Sequence, residues 1–464
     1  MIQEKKSLNV STKSFITATI VIFSLMILTY LLTFIIPSGE YARIIDANGN
    51  LIIDTTQGFA YTDGNISFLK WLFSPFLVLV SDGNIAVISV LIFLLVIGGI
   101  FNCLDSCGLM KYMLDVITVK FHKKKYLLLS LITLFFMALG SLVGSFEECV
   151  PLVPIVVALA IRLGWDSITG LGMSILAASC GFAAGICNPF TVGVAQQLAG
   201  LPMFSGMGYR SIAFVCIYIL LIVFLYLHTK KINTTSEMLT IDFTYKKHMN
   251  KALICFISIL SIGIVCILSS AFLPFLQDYT MIIVAIMFLL AGIFSTLLAK
   301  MTRKELVSEY IKGVINMLPA VFMILMANSI KYTLVESKIL DTLLYHALQI
   351  ANTLPNWSII LFIYLIVLVL NFFIPSGSAK AFLLIPIMVP MAQLFGISSQ
   401  LCIMAFAFGD GFSNIFYPTN PVLLISLGLA DTDYLSWVKW SWKFQFMNIV
   451  LTSAILLIGL FIAY

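Results

Sequence analysis

A half-length repeat constrains this chain more than any other feature. Sliding the 464-residue sequence by 232 residues places Gly144-Ser-Phe-Glu-Glu-Cys149 on Ser376-Gly-Ser-Ala-Lys-Ala381, with Glu148 on Lys380. The register then holds without a gap: Pro154 meets Pro386, Gly164 meets Gly396, and Asn188-Pro189 meets Asn420-Pro421. Each polar patch sits between two apolar runs that are short for a bilayer crossing, which needs about 20 residues. We read the repeat as an internal duplication and the two patches as halves of one binding site.

The medium follows from composition. Hydrophobic residues make up 61% of the chain and charged residues 10%, with mean hydropathy +1.07, against roughly 25% charged in soluble domains. The chain therefore reads as an all-α polytopic membrane protein whose environment is the lipid bilayer. The net charge of +5 comes from basic residues in short loops and does not point to nucleic acid. The first apolar run has no cleavage site after it, so it is expected to stay as a span rather than act as a signal peptide. Nine cysteines lie in or beside apolar runs, and four histidines lie at membrane edges or in loops. No metal site is expected, and no cofactor other than Na⁺ or H⁺ as coupling ion. There is no Walker motif or nucleophile elbow, so an ATP-driven pump or a membrane enzyme has little support.

Taken in order, spans are expected at 15–36 and 85–105, separated by a polar connection at 38–84. An amphipathic surface helix follows at 106–121. The first patch lies between runs 126–143 and 149–163, and Gly164-Trp-Asp166 makes a turn. An apolar stretch at 167–199 is broken at Asn188-Pro189. Further spans fall at 209–228, 252–275, 281–299 and, after a charged segment at 300–312, at 313–333. The pattern then recurs: a surface helix at 334–350, runs 358–374 and 382–395 around the second patch, a break at Asn420-Pro421 within 401–430, and a last span at 444–463. With the N-terminus in the cytoplasm and both patch segments as re-entrant hairpins, all but six of the 26 Lys and Arg residues lie inside. Arg43, Lys70, Arg210 and Lys338 are outside, while Lys331 and Lys380 are at or in the membrane. That bias favours nine spans plus two hairpins in two inverted repeats.

The hairpin tips carry the chemistry. Unpaired N–H groups at the start of a hairpin's second helix, reinforced by its dipole, attract an anion. In Pro375-Ser-Gly-Ser-Ala-Lys380, Ser376 and Ser378 add hydroxyls, Gly377 allows close approach and Lys380 adds charge, which suits a carboxylate. The plainer alternative is a serine-rich helix cap. At the matching tip, Ser145 precedes Glu147 and Glu148. Two carboxylates in hydrocarbon are costly, by a few kcal/mol each. They could hold a substrate ammonium or guanidinium, carry a proton, or form an ion pair with Arg162 or Lys380. Asp410, whose repeat mate is Ala178, is a candidate for the coupling ion or simply a buried cap. Asn188 and Asn420 precede prolines that open their helices. Freed carbonyls there, with Thr191, Asn414 and Thr419, are candidates for Na⁺ or substrate. Gly140-x-x-x-Gly144 and Gly181-x-x-x-Gly185 predict close helix packing.

The Pro375–Lys380 hairpin, the Glu147-Glu148 tip and the two Asn-Pro breaks resemble the DcuC family of anaerobic C4-dicarboxylate carriers, in its YfcC branch named for basic amino acid antiport. The resemblance spans nearly the whole chain. It differs from the family's Pro-Ser-Gly-Ser-Gly-Lys pattern at Ala379. It implies a homodimer with scaffold and elevator-type transport domains. After a cytoplasmic N-terminus at 1–14, the scaffold would take 15–105 and 209–333. The transport unit would take 106–208 and 334–430, leaving a C-terminal loop and helix at 431–464. The expectation is an inner-membrane exchanger or ion-coupled carrier of amino acids, cationic ones such as arginine or ornithine first. The alternative is an Na⁺- or H⁺-coupled carrier of small carboxylates.

Overall fold

The computed structural model describes residues 12–45, 51–53, 58–81, 84–121, 124–144, 146–202, 204–232, 245–270, 280–351 and 353–464. Among these, helices dominate. The first half runs α1 (Thr12–Ile35), α2 (Asn84–Ser106), α3 (Leu109–Phe121), α4 (Lys125–Val143), a 3₁₀ segment (Glu147–Leu152), α5 (Val153–Arg162), α6 (Ser167–Ala184), α7 (Val194–Leu198) and α8 (Met207–Lys231). The second half follows with α9 (Lys247–Ser270), α10 (Thr280–Leu298), α11 (Arg303–Glu336), α12 (Leu340–Ala351), α13 (Asn356–Asn371), α14 (Gly377–Leu394), α15 (Ser399–Ser413), α16 (Pro421–Leu429) and α17 (Tyr434–Phe461). The repeat is visible in the element starts: Ser167 opens α6 and Ser399 opens α15, while Pro189 and Pro421 each open the segment after a break.

Six helices among the described residues are long and apolar enough to cross a membrane, or seven if the α2–α3 pair, bent by 75°, counts as one. The expected nine spans are therefore matched only in part. Shorter apolar stretches lie within α1 (Thr19–Ile35) and α10 (Ala285–Leu298). The break splits 401–430 into helices of 15 and 9 residues. Lys125–Leu142 and Gly377–Leu394, each one limb of an expected hairpin, do reach crossing length, whereas Cys149–Arg162 and Asn356–Asn371 do not.

Two segments differ from expectation. The charged segment expected at 300–312 ahead of a span is itself mostly helical and continuous with that span. Thr302 and Glu305 form a capping box, satisfying orphan donors at both ends of the first turn. Helix α11 then continues for 34 residues, about 50 Å at 1.5 Å per residue. The polar connection 38–84 contains two antiparallel ribbons, β1 (Gly39–Tyr41) with β4 (Phe59–Tyr61) and β2 (Arg43–Ile45) with β3 (Leu51–Ile53). They are clasped to α12: Asp341 accepts from Tyr41 N at 2.9 Å and pairs with Arg43 at 2.7 Å, and Phe59 stacks on Tyr345.

The core lies where the broken helices cross. Nearly nine-tenths of α6 (89%) is buried, against 28% of α8, so α6 is an interior helix. Small residues allow its packing. A Cβ at Gly181 would lie 1.8 Å from the Met137 carbonyl oxygen, and one at Gly140 would lie 2.1 Å from that of Ala178. One glycine of each predicted motif thus sits at the α4–α6 crossing. Helices α6 and α15 meet at repeat-related residues: the Ser179 hydroxyl donates to the Gly411 carbonyl at 2.7 Å, and a Cβ at Gly411 would strike Ala183 Cα at 2.4 Å.

Candidate substrate-binding site

The second hairpin turns at Pro375, and Ser376 caps α14 without a side-chain hydrogen bond. The first intrahelical bond runs from Lys380 N to the Ser376 carbonyl. The N–H groups of Gly377, Ser378 and Ala379 therefore precede the ladder, as at any helix start. The hydroxyls of Ser376, which is exposed, and Ser378, which is half-buried, have no partner among the described residues. Gly377 is required here because a Cβ would lie 2.6 Å from both Asp410 Oδ2 and Thr191 Cγ2. The tip of the second hairpin thus abuts both the first break and α15.

Lys380 departs from expectation. Its side chain is fully buried. It donates to the Ile374 carbonyl at 2.8 Å and to Asn371 Oδ1, and pairs with Asp410 Oδ1 at 2.5 Å. Its partners among the described residues are thus Asp410, Asn371 and the Ile374 carbonyl, all from the second half of the chain. The physical reason is burial: an ammonium in hydrocarbon needs a counter-charge and acceptors. Asp410 on α15 supplies the first, and Asn371 at the end of α13 with the Ile374 carbonyl supplies the second. Asp410, expected to be available for a coupling ion, is half engaged, since Oδ2 has no hydrogen-bond partner. Asn371, which sequence reasoning missed, organises the cluster. Its amide donates to the Asp410 carbonyl (2.9 Å), Ser413 Oγ (2.6 Å) and Asn414 Oδ1 (2.9 Å). Its signal was a lone amide at the end of an apolar run, nine positions before Lys380.

Both asparagines at the breaks act as caps. Asn188 Oδ1 accepts from Phe190 N and Thr191 N at 3.0 and 3.3 Å, and Asn420 Oδ1 accepts from Val422 N at 2.9 Å. Their amides donate to the Phe182 carbonyl and to Asn414 Oδ1. The side-chain oxygens proposed to bind Na⁺ or substrate thus already serve the N-termini that the prolines open. The hydroxyls of Thr191 and Thr419 are buried without a hydrogen-bond partner. Asp410 Oδ2 is likewise buried without a hydrogen-bond partner among the described residues. After the first break, Pro189–Gly193 winds as a π turn, a local form found often at functional sites.

At the first tip, Gly144 ends α4 in the left-handed region (φ 76°), and a Cβ there would lie 2.3 Å from Asn188 Oδ1. The first hairpin therefore packs on the first break. Glu147 opens the 3₁₀ segment, half-buried, with no partner among the described residues. The structure removes one alternative for it, because Arg162 pairs with Asp115. Ser145 and the side chain of Glu148 lie outside the described residues. A second missed residue, Arg210, is fully buried. It ties the two sides of the first break by donating to the carbonyls of Ile186 before it (3.2 Å) and Ser205 after it (2.8 Å).

Paired broken helices and polar hairpin tips, set in a chain this apolar, define a multi-pass membrane transporter. The chain belongs to the DcuC family, described as C4-dicarboxylate anaerobic carrier, whose profile matches residues 15–461. It is 25% identical to an Escherichia coli K12 protein named "Putative basic amino acid antiporter YfcC", covering 90% of this chain and 91% of that one. It is 23% identical to an uncharacterized Haemophilus influenzae protein over 92% and 93% of the two chains. Among solved structures, it is similar to the Alcanivorax borkumensis YdaH transporter (18% identity, TM-score 0.44, 96% of this chain and 99% of that one). It is also similar to Neisseria gonorrhoeae MtrF, from a class of antimetabolite efflux pumps (16% identity, TM-score 0.43, 96% of both chains).

Proposed function

We propose that this chain is a secondary active transporter of amino acids, cationic ones first, working by exchange or ion coupling. The observation that carries the reading is Glu147, a carboxylate at the tip of an apolar hairpin with no protein cation beside it among the described residues. A charge left in that position calls for a mobile cation: a substrate ammonium or guanidinium, or a proton. The N–H groups of Gly377, Ser378 and Ala379, with the hydroxyls of Ser376 and Ser378, take the substrate carboxylate. Lys380 holds their scaffold instead of binding the ligand. Asp410 Oδ2, Thr191 and Thr419 take the coupling ion, Na⁺ or H⁺. Residues 106–208 and 334–430 move as an elevator against the remaining helices, in a homodimer in the inner membrane with the N-terminus inside.

The test is equilibrium binding of labelled arginine to the purified chain in detergent. The Glu147→Gln variant should bind at least tenfold more weakly, a loss of about 1.4 kcal/mol or more. Unchanged arginine affinity in that variant would remove Glu147 from the substrate site.

A second reading is favoured by the family description, which names C4-dicarboxylates. Under it the same N-terminus binds a carboxylate and Glu147 carries the coupling proton. Glu147→Gln would then spare substrate affinity and flatten the pH dependence of transport.

A further inference from the structure

A cavity of about 440 Å³ lies beside the second hairpin, walled by residues of strands β1 and β2, the end of α11 and the start of α12. Its size is within the range of small-ligand sites, about 300–1,000 Å³. Five charged side chains line it, and four of them are already paired. Arg43 chelates Asp341 through Nη2 at 3.0 and 2.7 Å, and Lys338 pairs with Glu40 at 3.0 Å. The fifth, Lys331, is half-buried and has no partner among the described residues. The rest of the wall is largely apolar, with Ile374, Phe382 and Leu383 contributed by the hairpin.

One unpaired ammonium in a mostly apolar chamber selects a singly charged anion with an apolar body. We propose that this cavity is a second binding site, for a small organic carboxylate, with Lys331 as its counter-charge. Ile374 and Ala379 bracket the hairpin tip, so the site stands next to the free N–H groups of α14. Its role as an approach station for substrate rests on the transport reading above. Its existence as a carboxylate site does not.

The test therefore reads binding alone. The full chain, in phosphatidylcholine nanodiscs, is titrated into 4-fluorobenzoate and followed by ¹⁹F NMR line broadening, with 4-fluorobenzamide as the neutral control. The benzoate should bind and the amide should not. Lys331→Gln should weaken benzoate binding at least tenfold, and Lys331→Arg should keep it within about threefold. Val335→Trp, which narrows the cavity and leaves the cation in place, should also weaken it. Equal binding of the amide, or unchanged binding by Lys331→Gln, would overturn the proposal. So would loss of the benzoate broadening in phosphatidylglycerol nanodiscs, because the cavity would then be a lipid headgroup site.

Discussion

Lys380 and Asp410 lie thirty positions apart in sequence and in contact in the fold, both fully buried. Their pairing changes what each is expected to do. Removing one member of a buried pair leaves the other charged and unpaired, at a cost of about 3–5 kcal/mol, whereas removing both is far milder. Lys380→Met should therefore lower the melting midpoint in detergent clearly, and Lys380→Met/Asp410→Leu should recover much of the loss. A single variant as stable as the parent would contradict the pairing. The residue types at this site were legible in the sequence, but their partners were not. Repeat symmetry set Lys380 opposite Glu148, yet symmetry relates positions without saying what touches. Asp410 and Asn371 decide the matter by arriving from α15 and α13, a tertiary fact that no local pattern carries.

At the scale of the element, most of the chain was readable because apolar runs bounded by Gly, Pro and capping residues are strong helix signals. The turn at Gly164-Trp-Asp166 ends one helix, and Asp166 caps the next by accepting from Thr169 N at 2.8 Å. The ribbons in 39–61 were missed because strands of three residues leave no alternation to detect. The length of α11 was missed because its first turns are charged and only the apolar part, 313–333, carries a span signal; the capping box at Thr302 and Glu305 marks the true start. Close packing at α4–α6 was read correctly from glycine spacing. It makes a sharp contrast testable: Gly181→Ala would press a methyl within 1.8 Å of backbone oxygen, whereas Gly208→Ala meets nothing within 4 Å. The first should abolish a monodisperse peak on gel filtration or lower the melting midpoint strongly, and the second should leave both unchanged. Equal behaviour of the two variants would count against this helix crossing.

At the scale of the whole molecule, the repeat relates the order of elements in the two halves, and the proposed inverted topology makes a claim about sides. Ser167 and Ser399 are repeat mates, each opening a broken helix and each partly exposed. Placed singly as cysteines in a chain with its nine native cysteines replaced, they should react with an impermeant maleimide from opposite faces of the membrane. Labelling from the same face would contradict inversion. Helix count was the least legible property, because length alone does not separate a crossing from a re-entrant limb: α14 is long enough to cross and α13 is not. Substrate is the central claim, and counterflow in proteoliposomes tests it most directly. Vesicles loaded with unlabelled arginine, ornithine, a neutral amino acid or a C4-dicarboxylate are assayed for entry of labelled arginine. Acceleration by internal arginine and ornithine and none by dicarboxylate is the result predicted. No arginine entry, with dicarboxylate self-exchange under the same conditions, would contradict the account and assign Glu147 to the coupling ion.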